Sequence, residues 1–188
     1  MTSSALAKLP LPEPTGRLRL RLPKLKDARF YLALLNEPDY IRFITDTKVR
    51  TIRTAEAFIK VRSLPRFEKY GTGLWVVERL DTGEPIGICG LIVREELDCP
   101  DLGYAFLAAQ HGKGYAREAA GAAIAFAREI MKLDRLCAII DPDNERSAKL
   151  LTDLGFIRDG QRRLESIGSV SDYFEKPLSA CACGEAGQ

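Results

Sequence analysis

The spacing of apolar residues changes several times along the chain, and each change marks an element. Residues 17–22 alternate strictly between arginine and leucine, which predicts a strand with one wet face near a sheet edge, ended by Pro23. Ala28, Tyr31, Leu32 and Leu35 then recur at helical spacing behind Asp27, which reads as the helix cap, and Asn36-Glu37-Pro38 closes that helix. Residues 39–53 show no period. Thr54 reads as a second cap for a helix carrying Ala57, Phe58, Val61 and Leu64, with Pro65 as its stop. Gly71-Thr72-Gly73 opens a strand over 74–79, and Asp81-Thr82-Gly83-Glu84 has turn composition. The runs 85–93 and 102–109 are apolar on both faces, which predicts central strands, joined by a polar turn at 95–100.

Three consecutive strands with short turns make an antiparallel meander. Gln110-His111-Gly112-Lys113-Gly114-Tyr115-Ala116 follows, then a helical stretch to residue 131 with Tyr115, Ala119, Ala122, Phe126 and Ile130 on one stripe. Alanines at 116, 119, 120, 122 and 123 keep that helix slim enough to lie close on a sheet. A buried strand over 136–140 comes next, as a right-handed crossover requires. Asp141-Pro142-Asp143-Asn144 leads into a helix striped by Ser147, Leu150, Leu151 and Leu154 and ended by Gly155. Strand residues from Phe156, a bend near Gly160 and a last strand over 170–176 finish the pattern. The domain is expected to span 16–177, with a loose lead at 1–15 and a loose tail at 178–188.

The order strand, glycine bend, helix carries the candidate chemistry. Gly112 and Gly114 leave the main chain uncovered, and the first N–H groups of the helix lack internal partners, so the bend can seat a phosphate or pyrophosphate. The same Gly-x-Gly also reads as a plain tight turn. A P-loop is absent, and Arg117 stands where a dinucleotide fingerprint needs a small residue. At 188 residues the chain makes one domain, and a net charge of +2 gives no argument for nucleic acid. It shows no run of 18 apolar residues and no apolar signal core, so neither a membrane nor export is expected. Cys89 and Cys137 lie in strand-like runs, Cys99 in a turn, and Cys181 and Cys183 in the tail. None has zinc-site spacing, so no metal and no disulfide is expected, consistent with a reducing cytoplasm.

Five blocks in this order carry a resemblance: residues 17–21, Ile86-Gly87-Ile88-Cys89-Gly90-Leu91, Leu102-Gly103-Tyr104, residues 112–119, and 144–151 with Leu154-Gly155-Phe156. Over roughly 16–177 the chain resembles the GNAT superfamily of acyl-CoA-dependent N-acetyltransferases, nearest the ribosomal-protein-alanine (RimJ/RimL-like) branch. The resemblance implies an α+β (α/β) fold. Its mostly antiparallel sheet of about seven strands is splayed at the acyl-CoA site and flanked by about four helices. It also implies acetyl-CoA as co-substrate, a primary amine as partner, no metal, and a monomer or homodimer.

The family's Gln/Arg-x-x-Gly-x-Gly/Ala motif falls on His111 to Ala116, so His111, Gly112, Lys113, Gly114, Tyr115 and Ala116 are implied to hold the pyrophosphate. His111, the one histidine, departs from the usual Gln or Arg and matches a cofactor-side place rather than a base. Phe106, Leu107 and Ala108 are implied to pair with pantetheine, and Asn144 to hold the opened strand edge. Asn144 also reads as an ordinary helix cap. Many relatives protonate the departing thiolate with a tyrosine seven residues after the asparagine, but here that place is Leu151. Ser147 matches the serine that takes the role in this branch, and it equally reads as a core serine. Asp101 is the expected base, with Glu95 and Glu96 behind it and surface charge as the plain reading of all three. An α-amine of pKa about 7.7–8.0 is roughly a tenth neutral at pH 7, whereas lysine at about 10.4 is far less so. An N-terminal or small weakly basic amine is therefore the expected acceptor. A catalytically idle acyl-CoA-binding module, a polyamine or antibiotic acetyltransferase and a nucleotide-binding protein are the alternatives.

Overall fold

A computed structural model describes residues 6–165 and 167–179. The Arg-Leu alternation becomes β1 (Leu18–Arg21), an edge strand as its wet face demands. Arg21 is nonetheless buried: its guanidinium forks onto Asp27 at 2.8 and 2.9 Å and reaches Glu78 at 2.6 Å, while Arg19 pairs with the same Glu78. Asp27 is thus drawn away from the expected capping role. It stands before α1 (Ala28–Leu34) with no cap bond to that helix.

The unperiodic stretch after Pro38 holds α2 (Pro38–Phe43), then α3 (Ile52–Phe58), a π turn at Ile59–Ser63 and α4 (Leu64–Tyr70) in one unbroken helical run. Thr51, not Thr54, is the cap, with Thr54 closing a capping box three residues on. Pro65 lies inside the first turn of α4, where a missing N–H is harmless, so it does not stop the helix. The π turn shifts the phase of the apolar stripe. Ala55 and Ile59 are buried, whereas Val61, expected inside, is 72% exposed.

The meander is β2 (Leu74–Arg79), β3 (Pro85–Ile92) and β4 (Asp101–Phe106), and a short 3-10 turn at Ala108–Gln110 takes up the rest of the run expected as strand. Then come α5 (Tyr115–Glu129), β5 (Arg135–Ile140), α6 (Glu145–Asp153), β6 (Ile157–Arg163) and β7 (Val170–Pro177). The seven strands form one sheet in the order β1-β2-β3-β4-β5-β7-β6, antiparallel throughout except β4 with β5. Gly160, at φ +76°, does not end β6; it forms a bulge against β7.

One face of the sheet packs on α5 through Ala119, Ala120, Ala123, Phe126 and Ala127, with Phe126 edge-on to Trp75 at 5.0 Å. Ile130, expected on the stripe, lies past the helix end and is exposed. The other face is covered by α1 and the α3–α4 run, with Tyr31, Leu34 and Ile59 against Val76 and Ile88. Leu6, Leu9 and Leu178, outside 16–177, also pack on the α5 side. Cys99, expected in an open turn, is buried beside Cys137 and Tyr173. Cys181 and Cys183 lie outside the described residues. Among the described residues no helix is long and apolar enough to cross a membrane, and no cluster of His, Cys, Asp or Glu is arranged to hold a metal.

What positions the site is the way β4 and β5 meet. They share a single registered pair, Asp101 with Cys137. Cys137 N–H donates to the Pro100 carbonyl at 3.1 Å, as a parallel ladder requires. One step further the ladder fails: Ile139 N–H donates instead to the Asp101 carboxylate at 3.3 Å. Beyond that point the strands diverge and a wedge opens in the sheet.

Candidate active site

A cleft of about 390 Å³ occupies the wedge and runs from the glycine bend at one end to Arg94 and Asp101 at the other. At the bend, Gly112 and Gly114 take φ of +74° and +78°, values that only glycine adopts readily. Arg17 fixes the bend from behind. Its Nη1 donates to the Lys113 carbonyl at 3.0 Å, its Nε to Glu118 at 2.7 Å, and its guanidinium covers the Tyr115 ring at 4.6 Å. Thr15 adds a hydroxyl donor to the same Glu118 at 2.6 Å. Burial works against ionisation of Glu118, but these donors outweigh it and hold the carboxyl below its ordinary pKa. Among the described residues the N–H groups of Gly112, Lys113, Gly114, Tyr115 and Ala116 have no partner. Tyr115 and Ala116 give the first donors of a fifteen-residue helix, with those of the bend just ahead of it, where the dipole favours an anion. The Lys113 side chain bonds Gln110, and that of Arg117 reaches the Asp153 carbonyl.

The strand end beside the bend is already bonded. Leu107 N–H donates to the Ile86 carbonyl, which turns it toward β3 and away from the wedge. Ala108 N–H donates to the Glu37 carboxylate at 3.1 Å, and the Phe106 carbonyl accepts from His111 Nε2 at 3.0 Å. Both of these partners are side chains that an incoming ligand can replace. His111 Nδ1 meets Arg146 Nη1 at 3.1 Å. A carbonyl only accepts and a guanidinium only donates, so this network requires the Nε2–H tautomer. The same Arg146 pairs with Asp39 at 2.8 Å, linking α6 to α2 across the mouth of the cleft.

Ser147 is buried on the inner face of α6 and lines the cleft. Its Oγ lies 2.7 Å from the Tyr104 hydroxyl, which comes from β4 on the opposite wall. Burial pushes the Tyr104 phenol up to about 12, with the Ser147 contact pulling the other way. Leu151, where relatives carry a tyrosine, is fully buried. Asn144 caps α6 by accepting the Ser147 N–H at 3.1 Å, and its amide also borders the cleft.

Asp101 lies at the far end of the cleft with both oxygens engaged, one by Arg94 Nε at 2.8 Å and the other by Ile139 N–H. Desolvation raises its pKa, against the pull of Arg94. Glu95 and Glu96 do not line the cleft: Glu95 pairs with Lys69, and Glu96 accepts the Glu165 N–H. The structure places Ser147, Asn144, Asp101 and the bend along one cleft. The sequence reading missed Tyr104, Arg146, Asp39 and Glu37 as parts of the site. Tyr104 carried a signal, since it is a hydroxyl on a strand otherwise apolar on both faces.

An opened parallel strand pair, a glycine bend with unpaired donors and a helix behind it are the parts an acyl-CoA needs. A family model described as "Acetyltransferase (GNAT) domain" matches residues 17–157. The uncharacterised protein YkkB of Bacillus subtilis is 32% identical over 145 residues, covering 75% of this chain and 82% of that protein. Among solved structures, RimL, a ribosomal alpha-N-protein acetyltransferase in complex with coenzyme A, superposes with a TM-score of 0.74. It is 12% identical, covering 89% of this chain and 98% of that one. A spermidine N-acetyltransferase SpeG chimera from Vibrio cholerae and hSSAT reaches 0.69 at 18% identity, over 87% and 96%. The fold, the opened sheet and the family match agree, and the chain belongs to the GNAT acetyltransferase family.

Proposed function

We propose that the protein moves an acetyl group from acetyl-CoA to a primary amine, an N-terminal α-amine or a small weakly basic amine, by direct attack. The observation that carries this is the row of unpartnered N–H groups from Gly112 to Ala116 at the mouth of the open β4–β5 wedge. The pyrophosphate sits on those donors. The pantetheine lies along the β4 edge, replacing the Glu37 contact at Ala108 and the His111 contact at Phe106, while Asn144 holds the facing edge. This places the thioester near Tyr104 and Ser147.

The amine nitrogen attacks the acetyl carbonyl, the C–N bond forms, the C–S bond breaks, and the thiolate takes a proton. Ser147 supplies that proton, held in place by Tyr104. The amine gives its proton toward Asp101, the buried carboxylate of the cleft, whose raised pKa suits acceptance. Asp101 then releases it to solvent and Ser147 regains the proton it gave, so both groups are restored. No strong base is needed if the acceptor is an α-amine. In that case kcat/KM rises with pH, bends near about 8, where such an amine is about half neutral, and levels above that. With lysine as acceptor the rise continues toward about 10.

The direct test is thiol release from acetyl-CoA against a panel of amines. Release that depends on an α-amine supports the reading. Acetyl-CoA binding without release for any amine points to an idle acyl-CoA-binding module, the reading that the leucine at 151 permits.

A further inference from the structure

The wall of the cleft beyond the thioester position is apolar. Phe43 and Ile44 come from the end of α2, Leu74 from β2 and Ile92 from β3. Gly103 of β4 faces them closely: a Cβ there would stand 2.9 Å from Ile92 Cδ1 and 3.3 Å from Leu74 Cδ2. The glycine therefore lets these two side chains close the floor. Ile44 is 47% exposed, so the wall is open to an arriving molecule.

Charge around this wall has one sign to spare. Arg42 lies over the Phe43 ring at 4.7 Å, and Arg94 closes the far end. The positive fields of Arg62 and Arg66 reach Tyr40 and Asp101, which also line the cleft. Of the acids that line the cleft, Asp39 is paired with Arg146 and Asp101 with Arg94, while the Asp141 carboxylate, past the end of β5, accepts only the Asp143 N–H among the described residues. Among the described residues Arg42, Arg62 and Arg66 have no salt bridge. A second ammonium group entering beside Phe43 and Ile44 meets guanidinium groups and the paired carboxylates Asp39 and Asp101, while a hydrocarbon body meets matching surface.

We infer that the acceptor is an amine whose body is apolar and carries no further positive charge, so that polyamines and aminoglycosides are rejected. This rests on the transferase reading and narrows its acceptor.

The test compares kcat/KM for phenylalaninamide, a single amine on an aromatic body, with that for spermidine. The wild-type protein is expected to favour phenylalaninamide at least tenfold. Ile44→Glu, at a partly exposed place where folding tolerates a charge, is expected to shrink that ratio at least threefold by admitting spermidine. Circular dichroism and the acetyl-CoA thermal shift check that the variant keeps its fold and its cofactor seat. Phe43→Ala gives a second reading, through a raised KM for phenylalaninamide alone. Spermidine turned over as well as phenylalaninamide overturns the inference and leaves the transferase reading intact. So does a ratio that Ile44→Glu leaves unchanged. Acetyl-CoA binding with no thiol release for either amine overturns both.

Discussion

At the scale of single residues, the informative contact is Ser147 with Tyr104. A serine on an inner helical stripe often bonds back to its own helix, but here the hydroxyl meets a phenol on the opposite wall of the cleft at 2.7 Å. Either hydroxyl can donate, so what Tyr104 fixes is where the Ser147 oxygen sits. Ser147→Ala is expected to lower kcat by about 10²-fold, the scale of a lost general acid, with KM for acetyl-CoA nearly unchanged. Unaltered turnover would make the serine a core residue only. Tyr104→Phe keeps the ring and removes the phenol's contacts with the Ser147 hydroxyl and carbonyl, a stability change of about 1 kcal/mol. A fall in kcat with an intact acetyl-CoA thermal shift would place the phenol in the proton path, and a fall in both would make it structural. The local part of this site was legible in the sequence. A glycine bend between strand and helix is a short-range pattern, and so is an asparagine three residues before a serine. The Tyr104–Ser147 pair spans 43 positions of chain, and the Asp39–Arg146 pair 107, so neither leaves a trace in local spacing.

At the scale of elements, β1 to β5 and β7 were read closely because each faces a core, which imposes a period or a solid apolar run, whereas β6 is exposed along its length and carries no such pattern. The helices of residues 25–70 were read less well, and for nameable reasons. Asp27 has the composition of a cap but is claimed by Arg21, a residue expected to be wet. Pro65 looks like a stop but sits where a helix tolerates proline, after a π turn that no periodic template contains. The Arg21 cluster also makes a prediction about pH. Desolvation raises the Glu78 pKa, but bonds from Arg21 and Arg19 outweigh it and bring the carboxyl below 4.5. Stability from this group is therefore present above that value and lost as the pH falls through the lowered one. Arg21→Met leaves the buried Asp27 without a cation and Glu78 with Arg19 alone, and is expected to cost about 3–5 kcal/mol at pH 7. The same variant loses less at pH 4, because Glu78 with one partner removed protonates more readily while the wild-type pair weakens. Denaturant midpoints at the two pH values measure this, and an equal deficit at both would refute it. In the sheet centre, Gly90 leaves room for the Gly73 carbonyl, which a Cβ would approach to 2.0 Å. Gly90→Ala is expected to lose at least about 1–3 kcal/mol, read as a lower chemical midpoint.

At the scale of the whole molecule, the sheet is two parts meeting at one registered residue pair. β1 to β4 form one part and β5, β7 and β6 the other, with Asp101 and Cys137 as the joint. A ligand that lies in the wedge bonds both edges, so it binds the folded sheet and not the unfolded chain. Acetyl-CoA at about a hundred times its dissociation constant then adds about 2.7 kcal/mol of stability. For a chain of this size that is a rise in Tm of roughly 5–11 °C, from about 2–4 °C per kcal/mol. Gly114→Glu separates the seat from the fold. An added Cβ meets only the flexible end of Arg17 at 3.5 Å, so the space is there, but φ is +78° and the new carboxylate stands among the donors meant for a diphosphate. The left-handed backbone costs about 1–2 kcal/mol for a non-glycine residue, so the free variant melts a few degrees lower. It is also expected to show no acetyl-CoA increment, because like charges exclude the pyrophosphate. A variant that melts lower yet keeps the full increment would mean the coenzyme is gripped elsewhere along the wedge.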